Sequence, residues 1–166
     1  LYRKGRHLFG LAQAKDAITT RKVAVIVEGY FDCVTLAEAG FTHVVSPLGT
    51  ALTEEQIQLL KRYTHQVILA FDGDAGGAMA TLRGIDLLVE AGFQVRVAQL
   101  PSGVDPDDYV RASGRERFDR LLSASVTICE FLFEVAAGRF ALHEPEGKVE
   151  AAQFILPTIA KVPNAM

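Results

Sequence analysis

Four short apolar runs, separated by segments of helical spacing, constrain the fold of this chain most strongly. They lie at 23–28, 43–46, 66–71 and 94–100. The first is a β-branched and nearly continuous apolar run, as is typical of strands that are covered on both faces. Strands that alternate with helices predict a parallel sheet with right-handed crossovers. We therefore expect an α/β fold with a parallel sheet of about four strands flanked by helices.

Two kinds of local signal predict where helices begin and end. Thr53-Glu-Glu-Gln56 is a capping box, which opens a helix. Glu38-Ala-Gly-Phe41 and Glu90-Ala-Gly-Phe93 each place glycine at the position where helices end in the left-handed conformation. A strand is expected to follow each of these glycines.

The chain divides by character into three segments. Residues 1–20 are interpreted as the end of a preceding segment with a lead-in helix, and 21–104 as the α/β domain. Residues 105–166 form a predicted helical region, with two short helices broken at Gly114 and longer ones over 124–137 and 146–159. The part from Val126 to Val135 is apolar on nearly every side, so we expect this helix either to be buried under the sheet or to have lost a partner that covers it.

Composition restricts the setting of the chain. It has 166 residues, 49% of them hydrophobic and 22% charged, which indicates an ordinary globular domain. The net charge of −3 gives no support by itself for a nucleic-acid partner. Cys33 and Cys129 have no CxxC spacing and are expected to be buried thiols in a reducing cytosol, without a disulfide or zinc. No apolar run is long enough to cross a bilayer.

Acidic residues lie at or after the ends of three of the four predicted strands. They are Glu28 as the last residue of the first strand with Asp32 shortly after it, Asp72 and Asp74 at the end of the third, and Asp105 and Asp107 after the fourth. Ligands of open parallel sheets bind beyond the carboxyl ends of the strands, so these side chains are expected to converge. Clustered carboxylates repel one another unless protons or cations compensate. Oxygen-only ligands select Mg²⁺ or Mn²⁺, and two such ions can activate a 3′-hydroxyl and stabilise a pyrophosphate leaving group.

Each acidic motif taken alone also has a purely structural interpretation. Glu28 can simply end a strand, and Asp72-Gly-Asp74 can form a turn. Asp105-Pro106 is a good helix start, with Asp at the N-cap and Pro at the first helical position. The coincidence of all three motifs at one sheet edge favours the metal cluster.

Two further segments are candidates for phosphate contacts. The basic stretch containing Arg3, Lys4 and Arg6 is either a solvated loop or a contact for template backbone or nucleotide triphosphate. Gly49 and Thr50 lie in a loop that leads to the capping box, and its backbone N–H groups can also face a phosphate. The sequence leaves these alternatives open.

Three motifs together resemble the Toprim signature of primases, topoisomerases and some nucleases. They are Glu28-Gly-Tyr-Phe-Asp32, Asp72-Gly-Asp-Ala-Gly76 and Asp105-Pro-Asp107. The flanking segments Tyr2–Arg6, Gly49–Thr53 and Leu100–Asp108 look like the bacterial DnaG-type primases. This resemblance spans essentially the whole chain. It implies a DNA-dependent RNA polymerase that makes short RNA primers on single-stranded DNA, by attack of a primer 3′-hydroxyl on the α-phosphate of a ribonucleoside triphosphate.

The resemblance also implies roles for individual residues. Glu28, Asp72 and Asp74 would be the catalytic residues and principal ligands of two or more Mg²⁺ or Mn²⁺ ions. The remaining implied site residues are Asp32, Asp105 and Asp107, which complete or support the cluster, and Arg3, Lys4, Arg6, Gly49 and Thr50, which contact nucleotide or template.

The expected partners follow from the same resemblance. They are a single-stranded DNA template, ribonucleoside triphosphates, the RNA primer and a replicative helicase reached through a domain absent from this chain. The setting would be the bacterial cytoplasm at the replication fork. Because family members carry a zinc-binding domain and a further polymerase segment before these residues, we expect a fragment without zinc that binds metal and triphosphate but synthesises poorly.

Three other interpretations of the sequence compete with that of a primase fragment. Another Toprim enzyme, such as a nuclease or a topoisomerase subunit, has the same acidic motifs. A non-catalytic binding module could retain the fold, although such a module is expected to lose acids that this chain keeps. A phosphoacceptor domain typically needs a lysine at a later strand end, where this chain has Leu100-Pro-Ser.

Overall fold

A computed structural model describes residues 3–47, 51–72 and 75–162. Three predicted site residues, Gly49, Thr50 and Asp74, lie outside the described residues. Within the described part, no helix is both long enough and apolar enough to span a membrane.

The described residues form alternating strands and helices, preceded by a short 3₁₀ turn at Lys4–Arg6. In chain order they are α1 (Leu11–Arg21), β1 (Ala24–Ile26), α2 (Tyr30–Glu38), β2 (Val44–Val45), α3 (Glu54–Leu60), β3 (Gln66–Leu69), α4 (Ala75–Glu90), β4 (Gln94–Val97), α5 (Pro106–Ser113), α6 (Arg115–Ser123), β5 (Val126–Thr127), α7 (Ile128–Arg139) and α8 (Pro145–Ile159).

The sheet has five strands in the order β2-β1-β3-β4-β5. Strands β1 to β4 pair in parallel, which confirms the α/β fold with about four parallel strands. Strand β5 pairs antiparallel with β4 at the edge of the sheet. The sequence analysis placed these residues within a helix, because a two-residue strand leaves no alternating pattern and here runs directly into α7.

Helices cover both faces of the sheet, which explains the continuous apolar character of β1. Ala24 and Ile26 face a cluster that includes side chains of α1, α3, α4, α7 and α8. Val25 and Val27 face the opposite cluster, to which α2, α5 and α6 contribute. The side chains of α7 and α8 thus belong to the same core as those of the central strands.

The predicted helix ends are confirmed. Thr53 Oγ1 accepts a hydrogen bond from the Gln56 N–H at 3.2 Å, and Gln56 Oε1 accepts one from the Thr53 N–H at 3.0 Å. Gly40 and Gly92, which follow α2 and α4, have φ values of 95° and 82°. A side chain would be strained in this left-handed conformation, so glycine is favoured at both positions.

The burial expected of α7 and of the two cysteines is found only in part. Phe131 and Leu132 are buried in the core, but Phe133 on the same helix is 59% exposed. Cys33 is buried as expected, whereas Cys129 is exposed. Only one face of α7 packs against the sheet and α8, so an apolar composition on all sides did not produce burial on all sides.

Candidate functional site

The carboxyl ends of β1 and β3 bring two acidic residues to one edge of the sheet. These strands are neighbours in parallel register, with Ile26 opposite Leu69. Glu28 follows Ile26 by two residues and Asp72 follows Leu69 by three, and both are half-buried. The predicted placement of these two acids at a common edge is therefore confirmed.

Asp32 connects the starts of two helices. It lies in the first turn of α2 and is only 7% exposed. Its Oδ2 accepts a hydrogen bond from the Gly29 N–H at 3.0 Å, and its Oδ1 accepts one from the Asp107 N–H at 3.2 Å. One buried carboxylate thus fixes the beginning of α2 against the beginning of α5.

The electrostatics of Asp32 show that further carboxylates are close. The pKa of Asp32 is raised to about 6 as the net result of several effects, of which burial raises it most and the hydrogen bonds from the Asp107 and Gly29 N–H groups lower it. The negative charges of Asp105 and Asp72 raise the pKa further. The charges of Asp72 and Asp105 thus act on Asp32; these three carboxylates are called the acidic cluster below, and a cation would relieve the repulsion among them.

Asp105 and Asp107 also have structural partners. Asp105 Oδ1 accepts a hydrogen bond from the Asp108 N–H at 2.6 Å and caps α5, as the alternative interpretation expected. Asp107 Oδ1 accepts from Nε of Arg111, and Nη2 of Arg111 donates to Thr35 Oγ1 at 3.0 Å. Both acids therefore contribute to the packing of α5 as well as to the charge at this edge.

The ligand set that the resemblance implied is not brought together within the described residues. In the part of the chain that the structure describes, no three or more His, Cys, Asp or Glu side chains form a group that could hold a metal ion. Asp74, one of the three principal ligands expected, lies outside that part. The donors at this edge are carboxylate oxygens, the ligand type that hard divalent cations prefer.

The basic turn, defined as Arg3–His7, is attached to the start of α3. Nε2 of the buried Gln56 donates to the carbonyl oxygens of Lys4 at 3.2 Å and His7 at 2.8 Å. Thr53 Oγ1 donates to the carbonyl oxygen of Gly5 at 2.6 Å. The capping box thus also anchors the basic turn, which spacing in the sequence did not reveal.

The basic turn and the sheet edge that carries Glu28 are joined through Ser46, which directly follows β2. The backbones of Phe9 and Ser46 pair through two hydrogen bonds of 2.8 and 3.1 Å. Ser46 Oγ in turn donates to the carbonyl oxygen of Glu28 at 2.8 Å. Two consecutive contacts therefore lead from the strand end that carries Glu28 to the residue that follows the basic turn by two positions.

A cavity of about 640 Å³ opens beside Glu28 and was not predicted from the sequence. Its lining includes Phe71 from the end of β3 and Arg83 and Asp86 from α4. Lys161 also lines it and forms ion pairs with Asp86 at 3.2 Å and Glu90 at 3.0 Å. No local motif marks these residues, because they come together only when α4 packs beside the segment after α8.

Comparison with known proteins places this arrangement in a family. A family profile described as Toprim-like matches residues 25–110, which is just over half of the chain. The chain belongs to the Toprim-like family. It is similar to the DNA primase of Clostridium acetobutylicum, with 40% identity over 98% of this chain, and to that of Escherichia coli K12, with 36% identity over 99% of it.

The curated relatives are much longer than this chain. It spans 27% of the Clostridium protein and 29% of the Escherichia coli protein. Solved structures show the same relation. The chain matches the Aquifex aeolicus primase, described with its zinc-binding and RNA polymerase domains, with a TM-score of 0.85 and 35% identity over 99% of this chain and 39% of that one. It also matches a DnaG primase catalytic domain bound to single-stranded DNA, with a TM-score of 0.85 and 35% identity over 99% of this chain and 54% of that one.

A second family profile matches the end of the chain. It is described as the DnaB-helicase binding domain of primase and covers residues 130–166. The sequence analysis placed the contact with the helicase in a domain absent from this chain, so this match differs from that expectation. Its described part consists of most of α7, all of α8 and the short segments around them.

Proposed function

We propose that this chain is part of the catalytic core of a bacterial DNA primase, which synthesises short RNA primers on single-stranded DNA. The observation that carries the proposal is the acidic cluster of Asp32, Asp72 and Asp105 at the carboxyl edge of the sheet, with the basic turn at the same edge. The primase relatives and the DnaG catalytic cores support this function over a nuclease or a topoisomerase. The proposed setting is the bacterial cytoplasm.

Glu28, Asp72 and Asp74 are the proposed ligands of Mg²⁺ or Mn²⁺, and Asp32, Asp105 and Asp107 support them. When bound, such ions stabilise the charge that develops on the phosphates of a ribonucleoside triphosphate during nucleotidyl transfer. The bond from the Asp107 N–H to Asp32 holds α2 and α5 together and fixes the positions of Asp32 and Asp105 at this edge of the sheet. Arg3, Lys4 and Arg6, with the loop at Gly49 and Thr50, are the proposed contacts for phosphates of nucleotide or template.

Calorimetric titration of Mn²⁺, with and without a nucleoside triphosphate, tests this metal site. The Asp72→Asn/Asp74→Asn variant is expected to lose the binding that the wild type shows, and triphosphate should tighten Mn²⁺ binding only in the wild type. The control is Asp16→Asn/Glu116→Gln, which removes the same charge from two exposed positions on α1 and α6. Binding that is unchanged in the Asp72/Asp74 variant would contradict the proposal.

The fragment alone is expected to synthesise primers poorly. Its relatives are more than three times as long, so we expect further groups that position template and nucleotide to lie outside the aligned part. The measurement is primer synthesis on a single-stranded template with radiolabelled ribonucleotides, beside a full-length primase. Robust synthesis by this chain would disprove the expectation of weak activity and leave the metal site unaffected.

Contact with a DnaB-type helicase is a second proposal, supported by the match of residues 130–166 to a helicase-binding family. Phe133 of α7 and Leu156 of α8 are each 59% exposed and line a largely apolar groove between the two helices. The test is binding of labelled chain to a purified DnaB-type helicase. Phe133→Ser/Leu156→Ser is expected to weaken binding, with Phe31→Ser as the control for loss of an exposed apolar side chain. Equal binding by all three proteins would contradict the proposal.

A further inference from the structure

Two large aromatic side chains are exposed directly beside the sheet edge that carries Glu28 and Asp72. Tyr30 is 48% exposed and Phe31 is 64% exposed, and they are the first two residues of α2. Their ring centroids lie 4.5 Å apart. The ring of Phe9 meets that of Tyr30 edge to face, with centroids 6.2 Å apart. The three rings, named here the aromatic platform, form a continuous aromatic surface.

The exposure of Tyr30 and Phe31 follows from the way α2 is held. Asp32 binds the Gly29 N–H and the Asp107 N–H, which fixes the first turn of the helix. Cys33 and Leu36 then pack into the core against β1 and β2. Since this face of α2 supplies the apolar contacts, burial of the helix does not require Tyr30 and Phe31. An exposed aromatic pair of this size therefore suggests a binding role.

The charge around the aromatic platform favours a polyanion that carries flat apolar groups. Phe9 follows the basic turn by two residues, and Arg3 and Lys4 of that turn are exposed. Neither residue forms an ion pair within the described part of the chain. On the other side, Glu28 and Asp32 disfavour phosphates in the absence of a cation. A ligand with phosphates at the basic turn and bases at the rings fits this distribution.

A groove of about 590 Å³ extends from the aromatic platform between α1 and α2. Phe9, Cys33 and Val34 supply apolar lining, and His7 of the basic turn contributes to the same groove. The groove thus offers an apolar surface that is continuous with both the platform and the basic turn. Single-stranded nucleic acids bind in this way, with bases on aromatic rings and phosphates along a basic track.

We propose that Phe9, Tyr30 and Phe31 form a stacking platform for bases of a single-stranded nucleic acid, with Arg3 and Lys4 contacting its phosphates. This inference deepens the proposed function and rests on it, since it assumes that the chain handles nucleic acid. Stacking on aromatic rings tolerates any base, which suits a strand whose sequence changes as synthesis proceeds. The platform positions a strand beside the acidic cluster and takes no part in the chemical step.

The test compares two fluorescently labelled oligonucleotides of equal length, an oligothymidylate and an abasic strand with the same number of phosphates. Affinities are measured by anisotropy in chelator, so that metal binding does not contribute. The wild type is expected to bind the oligothymidylate about tenfold more tightly, as for one or two stacked bases. Phe31→Ala should abolish this preference and leave the salt dependence unchanged, whereas Phe31→Trp should keep it.

Two control variants separate stacking from charge and from general exposure. Arg3→Gln/Lys4→Gln should weaken both oligonucleotides alike and reduce the salt slope by about one for each cation removed. Val149→Ala truncates an apolar side chain of similar exposure on α8 and should retain the preference for bases. Unchanged circular dichroism of Phe31→Ala confirms that the exposed position does not affect folding.

Two outcomes would overturn the inference. One is equal affinity of the wild type for the two oligonucleotides. The other is a base preference that persists in Phe31→Ala. Either result would leave a protein partner as the occupant of the platform. These results are independent of the proposed metal site, since Mn²⁺ calorimetry on the same proteins reports on that site separately. A failed metal titration together with a base preference would refute only the proposed chemistry.

Discussion

His43 has a buried imidazole directly before β2, and the residue is only 5% exposed. Within the described residues, its Nδ1 has no hydrogen-bond partner. The pKa of His43 is lowered to about 4, by burial most of all and then by the positive charge of Arg21, while Asp119 opposes both effects. The neutral form is thus strongly preferred in the folded protein.

The low pKa of His43 predicts a loss of stability in acid. An unfolded chain protonates this histidine near pH 6.5, whereas the folded chain does so only near pH 4. Its contribution to stability is therefore complete above pH 6.5 and is lost as the pH falls from 6.5 towards 4. Between pH 7.5 and pH 4.5, the free energy of unfolding should therefore fall by about 2 kcal/mol less in His43→Leu than in the wild type. Urea denaturation at the two pH values measures this difference.

The control for this prediction is His143→Leu. The His143 side chain is 80% exposed, so its replacement should leave the pH dependence as in the wild type. The comparison uses differences between the two pH values, which removes any constant effect of repacking around position 43. If the free energy of unfolding depends on pH in the same way in His43→Leu and in the wild type, protonation of His43 is not the cause of the loss of stability in acid.

At the level of residues, the sequence predicted the acids better than their partners. Strand ends in one parallel sheet lie at a common edge, so the approach of Asp72 and Asp105 to Asp32 follows from topology. The bond from the Asp107 N–H to Asp32 joins residues 75 positions apart and leaves no local signal. The same holds for the buried Gln56, whose bonds to the basic turn depend on tertiary packing.

At the level of elements, the start of α8 depends on a close backbone approach. A Cβ atom at Gly147 would lie 2.2 Å from the carbonyl oxygen of Ala141, far inside normal contact distance. Relief would require the chain between α7 and α8 to move. Gly147→Ala is therefore expected to lower the free energy of unfolding by more than about 3 kcal/mol, as for severe overpacking.

Gly138→Ala is the matched control, because this glycine lies in α7 and an added Cβ there would meet no described atom beyond its own helical turn within 4 Å. Alanine favours the helix, so this variant should gain about 0.5 to 1 kcal/mol. Urea denaturation of both variants provides the measurement. A similar small effect at the two positions would show that the contact with Ala141 relaxes easily.

The secondary structure shows which elements sequence patterns can locate. Runs at 66–71 and 94–100 predicted β3 and β4 well, although both strands end two or three residues earlier than the runs. Four of the five extra residues are apolar and buried, namely Ala70, Phe71, Ala98 and Leu100, because the covered region of the sheet extends past the paired residues. Strand β5 was missed for a different reason, since pairing with β4 is a tertiary contact of two residues that the sequence does not encode as a period.

At the level of the whole molecule, the sheet and the C-terminal helices share one core. Phe131 and Leu132 of α7 belong to the same cluster as Ile26 of β1 and Leu69 of β3. Contacts outside the core reinforce this packing, because Thr158 Oγ1 of α8 donates to Asp86 Oδ1 of α4 at 2.6 Å. A division of the chain near residue 105, as predicted from its change of character, does not imply two folding units.

Cooperative unfolding of sheet and helices follows from this shared core. Phe131→Ala removes a buried ring and should lower the free energy of unfolding by about 3 to 5 kcal/mol in a single transition. Amide protons of β1 and β3 should then exchange faster by the same free-energy difference, although they lie far from α7 in sequence. Phe133→Ala, which truncates an exposed ring on the same helix, should change neither quantity measurably. Loss of protection confined to α7 and α8 would instead mean that the helical region unfolds by itself, because the sheet would then hold its stability without the Phe131 contact.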